Sequence, residues 1–98
     1  MIVTKSSRNS KKELLGALAM DLKRVALGYH GGSTKTAERF LEEAMKRQKE
    51  LQIKKNSPYL NNLLKSLTKL AREKSKEKLA EDALMYSTLF QNYALKAY

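Results

Sequence analysis

The sequence has one histidine, His30, the residue type best suited to proton transfer, and it sits beside Gly31-Gly32 with Tyr29 and Ser33 as neighbours. An imidazole at a helix end is ordinarily held by the negative pole of that helix, and proton transfer would further require a reacting group within hydrogen-bond reach. The chain has no cysteine, so thiolate nucleophiles and thiolate metal sites are excluded. With a single histidine and no Glu-x-x-His pattern, no metal centre is expected. Carboxylates adjoin at Glu42-Glu43 and Glu81-Asp82, but neighbours on a helix point about 100° apart and do not converge on one substrate atom. The run Gly31-Gly32-Ser33-Thr34-Lys35-Thr36 has the composition of a phosphate loop. It lacks the Walker spacing and a preceding strand, so it reads as a capped connection between helices. No cofactor is expected.

Arg24 and His30, with five residues between them, resemble the Arg-x(4–6)-His spacing of HEPN-domain ribonucleases, which are helical bundles. That resemblance implies an arginine bound to phosphate, a histidine assisting cleavage and a second copy completing the site. The sequence departs from the family pattern in having Val25 after Arg24, where a polar residue is common, and in placing the pair early in the chain. An HEPN-like nuclease is accordingly a minor alternative, and no catalytic residue is assigned.

Charge says more about partners. Twenty lysines and arginines face ten acidic residues, for a net charge of +10, and a field of that size on a small protein attracts polyanions. The excess lies in residues 1–12, 33–56 and 57–74, while 13–32 and 75–98 are balanced. Lys65, Lys69 and Arg72 recur at steps of four and three, which on a helix puts them in one stripe. Lys54 and Lys55, with Lys46, Arg47 and Lys49, lie toward the end of the preceding helix, and Lys11 and Lys12 adjoin Lys5 and Arg8. No zinc finger, basic zipper, RNP sequence or helix-turn-helix signature is visible, so nucleic-acid binding would rest on phosphates and be weakly sequence-specific.

Helices must position these groups, because from Ser10 onward turn residues break the pattern at only two places, Gly31-Gly32-Ser33 and Asn56-Ser57-Pro58. Ser10 with Glu13 fits a capping box, and Leu14, Leu15, Leu18, Leu22, Val25 and Tyr29 then mark one helical face. Gly31 or Gly32 closes that helix, and Ser33 or Thr34 is suited to cap the next. Ala37, Phe40, Leu41, Ala44, Met45 and Leu51 line the second helix. Its charged face offers Arg39/Glu43, Glu42/Lys46 and Glu43/Arg47 pairs. Ser57 with Pro58 starts a third, whose stripe is Leu60, Leu63, Leu64, Leu67, Leu70 and Ala71. Residues 72–78 contain no apolar side chain, glycine or proline; a break capped by Ser75 is favoured over one continuous helix. The last segment is apolar on most sides, with Leu79, Ala83, Tyr86, Phe90, Tyr93 and Ala97 on one face and Leu84, Met85, Leu89 and Leu95 on others.

The expected fold is all-α, a small antiparallel four-helix bundle with helices at about 11–30, 34–54, 58–73 and 76–97. A basic flexible arm (1–9) precedes a single helical domain (10–98). Hydrophobic residues at 42% suffice for one core and not two in 98 residues. No apolar run approaches the roughly 20 residues of a membrane span, and Met1-Ile2-Val3-Thr4-Lys5 lacks a signal-peptide core, so a cytoplasmic protein is expected. The leading function is a non-enzymatic protein that binds RNA or DNA and forms a homodimer through its apolar last helix, with Tyr86, Phe90 and Tyr93 as the interface; burial of Phe90 and Tyr93 in the chain's own core is the other setting the sequence leaves open. The alternative is a structural or protein-interaction module whose positive charge is incidental.

Overall fold

The computed structural model describes residues 10–97, and among them the chain forms four helices: α1 (Lys11–His30), α2 (Thr34–Gln52), α3 (Pro58–Arg72) and α4 (Lys76–Ala97). The arm expected at residues 1–9 lies outside the described residues. The capping box forms as expected: Ser10 Oγ accepts from the Glu13 amide at 3.2 Å, and Glu13 Oε1 accepts from the Ser10 amide at 3.1 Å. At the other end of α1 the Gly31 amide donates to the Leu27 carbonyl at 2.9 Å and the Ser33 amide to that of Gly28 at 2.7 Å. Gly32, at φ 78°, is the residue that takes the left-handed conformation, whereas Gly31 has φ −85°.

Two local expectations are corrected here. Ser33 does not cap α2, because its hydroxyl donates to Thr36 Oγ1 at 2.8 Å and accepts no amide. Helix α2 also stops at Gln52, before Lys54, where Asn56 Nδ2 takes the Leu51 carbonyl at 2.7 Å and draws the chain out of the helix. Ser57 Oγ does cap α3, accepting from the Leu60 amide at 3.2 Å with Pro58 in the first position. The last two helices are separate. Glu73 is extended, its carboxylate accepts from the Ser75 amide at 3.1 Å, and Ser75 Oγ accepts from the Lys78 amide at 3.3 Å.

Each helix lies beside its neighbours in the chain, and α4 returns to pack on α1, so the four form a closed ring around one core. The ring is uneven, and residue size explains it. Helix α1 approaches α2 and α4 closely because the contacts are made by small residues: a Cβ on Gly28 would stand 2.9 Å from Ala37 Cβ, and Ser87 Oγ donates to the Ala19 carbonyl at 2.8 Å. Helix α3 buries only leucines, Leu60, Leu63, Leu64, Leu67 and Leu70, and their bulk holds its backbone further off. The helix buried on most sides is therefore α1. The apolar surplus of α4 is left outside, with Leu84, Met85 and Leu95 exposed.

Polar ties set the register between neighbours. Arg47 Nη1 donates to Asp21 Oδ2 at 3.0 Å between α1 and α2, and Gln48 Nε2 to the Leu64 carbonyl at 2.6 Å between α2 and α3. Ser87 ties α4 to α1, and Ser57 Oγ lies 3.0 Å from the Tyr93 hydroxyl between the start of α3 and α4.

Candidate nucleic-acid interface

Lys65, Lys69 and Arg72 are exposed on the side of α3 opposite its buried leucines, and none forms an ion pair among the described residues. This follows from register. A fifteen-residue helix that commits five leucines to one face leaves positions four and three apart on the other for solvated side chains. Ala71, assigned to the apolar stripe, is exposed because it falls outside that arc.

The second group of candidates is drawn together by the fold. Lys11 Nζ donates to the Lys55 carbonyl, which sets the start of α1 against the connection 53–57. Lys12, Lys54 and Lys55 are exposed around this junction. Lys11 is half-buried and engaged with backbone, so it positions the others more than it offers a free ammonium. Glu13, on the first turn of α1, is engaged in the helix cap.

Several cations have other partners. Arg47 is held by Asp21 at 3.0 Å and Glu43 at 3.4 Å, Lys46 lies 3.7 Å from Glu43, and Lys78 lies 3.1 Å from Asp82. The hydrogen bond that Lys78 Nζ donates to the Asp82 carboxylate raises the Lys78 pKa above its ordinary value. Of the pairs expected along α2 only Glu43/Arg47 forms; Arg39 lies instead over the Phe40 ring, 5.9 Å from its centroid. Arg47 is thereby removed from the candidate contacts. Burial pushes the Asp21 carboxyl above the usual carboxylate range, with Arg47 pulling it back, Glu43 pushing it up again and Arg24 lowering it.

The two residues carrying the nuclease resemblance share helix α1, which puts them about 9 Å apart along the axis and on different sides of it. Arg24 lies over Phe40 at 5.2 Å and His30 is exposed at the helix end, so the two do not converge within one chain. Among the described residues no three histidine or carboxylate side chains group as metal ligands, and no helix is long and apolar enough to cross a membrane.

The expected dimer contact is altered. Phe90 is fully buried in the chain's own core, and Tyr86 tilts against it at 6.5 Å. Tyr93 is half-buried, and its ring stacks on Tyr59 with centroids 5.7 Å apart and planes inclined by 27°. Tyr59 was missed from sequence because it stands outside the leucine period. It is 53% exposed at the mouth of a groove of about 460 Å³ formed with Leu89, Asn92, Tyr93 and Lys96.

No family model, curated protein or solved structure matches the chain. Fold and composition describe it as a small basic helical bundle.

Proposed function

We propose that this protein binds nucleic acid without catalysing a reaction, through phosphate contacts of low sequence specificity. The observation that carries this reading is the outward side of α3, where Lys65, Lys69 and Arg72 stand exposed and without acidic partners in a chain of net charge +10. Ammonium and guanidinium groups that are free of intramolecular partners can displace counterions from a phosphate backbone. Lys12, Lys54 and Lys55 extend the basic surface around the end of the bundle.

The test is a salt series of binding constants for a duplex and a single strand. Replacing Lys65, Lys69 and Arg72 together by glutamine should lower the slope of log K against log salt by up to about three units on duplex and about two on a single strand, one phosphate being lost per residue. The control replaces Lys23, Lys35 and Lys76, exposed residues of α1, α2 and α4. Equal loss from both variants would make the attraction diffuse; absence of salt-dependent binding by the unmodified protein would end the reading.

Self-association is a second reading, favoured by Met20 and Leu84, each 45% exposed and lining one shallow groove between α1 and α4. Phe90 no longer supports it. Sedimentation at high micromolar concentration decides the matter, and a monomer there would exclude a dimer of functional strength.

A further inference from the structure

We infer that the Tyr59 groove is a stacking site for an unpaired base, so that the nucleic acid bound is single-stranded. This rests on the nucleic-acid reading above and adds to it a site that the charge distribution does not reveal. Tyr93 is fixed on two sides, its hydroxyl 3.0 Å from Ser57 Oγ and its ring against Tyr59. Tyr59 is the outer ring of this two-ring stack and keeps 53% of its surface in solvent. Large aromatic side chains gain from burial, and one left half-exposed in a well-packed bundle has surface available for another flat group.

The rest of the groove suits a nucleotide. Its volume of about 460 Å³ falls within the roughly 300–1,000 Å³ of small-molecule sites. Asn92 offers an amide donor and acceptor for a base edge, and Lys96 an ammonium for a phosphate. The groove opens at the end of the bundle where Lys12, Lys54 and Lys55 are exposed, so a strand seated in it would run onto cationic surface. Charge complementarity therefore selects a polyanion over an apolar peptide. Within a duplex both faces of each base are covered by its neighbours, and only an unstacked base can lie on a fixed ring.

The experiment measures binding of labelled oligonucleotides of about 12 residues, a length within the site sizes of about 4–16 nucleotides known for single-stranded binders. Oligo-dT, oligo-U and a DNA duplex of equal length are titrated against the unmodified chain and Tyr59→Ala, Tyr59→Leu and Tyr59→Trp. Tyr59→Ala and Tyr59→Leu should each weaken single-strand binding by about 5- to 150-fold and leave duplex binding and the salt slope unchanged. Tyr59→Leu keeps an apolar side chain over Tyr93, so a loss shared by both variants reports the ring itself. The chain has no tryptophan, so Tyr59→Trp adds a single reporter, which should retain affinity and be quenched by the single strands and not by the duplex. The oligo-dT and oligo-U arms separate DNA from RNA.

Single-strand affinity unchanged in Tyr59→Ala, with binding by the unmodified chain intact, would overturn the inference and leave the phosphate reading standing. Equal losses on single strand and duplex would overturn it too, as would a change in hydrodynamic mass without a change in oligonucleotide binding, which would make the groove a contact between copies. Absence of binding by the unmodified chain removes both readings together.

Discussion

Gly16, Gly28 and Gly32 make different demands on their surroundings, and alanine substitution separates them. A Cβ at Gly28 would meet Ala37 at 2.9 Å, with backbone atoms of that residue at 3.0 Å, so Gly28→Ala must push α2 away from α1. The expected cost is about 1–3 kcal/mol. Gly16 has nothing within 4 Å, and Gly16→Ala should stabilise α1 by about 0.5–1 kcal/mol through propensity alone. Gly32→Ala should cost about 1 kcal/mol because its φ of 78° is strained for any Cβ. Thermal or urea unfolding of the three variants checks both signs. At Asp21 the sign follows from linkage. Its folded pKa is raised, so the native state holds the proton more tightly than the unfolded chain and gains stability from this group as pH falls. Asp21→Asn should therefore be favoured over the unmodified chain most at neutral pH, with the gap in Tm closing toward about pH 4. Arg47→Met, which leaves a carboxylate only 7% exposed without its closest cation, should cost about 2–3 kcal/mol at neutral pH.

At the scale of the element, helix boundaries were legible in sequence because caps are local. Ser10 with Glu13 and Ser57 with Pro58 act within one turn, and both formed. Which helix is buried on most sides was not legible, since it depends on how closely two backbones approach. Counting apolar residues marked α4 as the helix apolar on most sides, whereas Gly28, Ala37, Ala19 and Ser87 permit the close approach that buries α1. The candidate lysines were legible as a stripe because helical register alone places them; Tyr59 was not, because its stacking on Tyr93 joins positions 34 residues apart in sequence. The same unevenness predicts an order of local opening. Helix α3 is held by leucines at wider spacing, and α1 by close contact on two sides. Native-state hydrogen exchange should give slower amide exchange in α1 than in α3. Equal protection of the two would mean that the bundle opens only as a whole. Phe90→Ala should cost about 3–5 kcal/mol, a core penalty, and should do so independently of protein concentration.

For the whole molecule, a net charge of +10 on 98 residues sets the basic residues against one another. Self-repulsion weakens the compact state and salt screens it, with a Debye length of about 10 Å at 0.1 M. The melting temperature should rise as sodium chloride is added from low concentration, and the Lys65/Lys69/Arg72 glutamine variant should start higher and rise less. A melting temperature indifferent to salt would mean that the charges are too well solvated to matter for folding. The basic surface would then bear on partners alone.

The ties between neighbouring helices have a consequence for how freely the sequence can drift. Sliding one helix along another by a turn, about 5.4 Å, would return leucines to equivalent leucine contacts. It would leave the Asp21 carboxylate, the Gln48 amide and the Ser87 hydroxyl buried and unpaired. The leucine stripe of α3 is correspondingly interchangeable with other large aliphatic residues of similar volume. In a saturation library Gln48, Ser87 and Gly28 should reject nearly every substitution, whereas the buried leucines of α3 should accept other large aliphatic residues and reject small or polar ones.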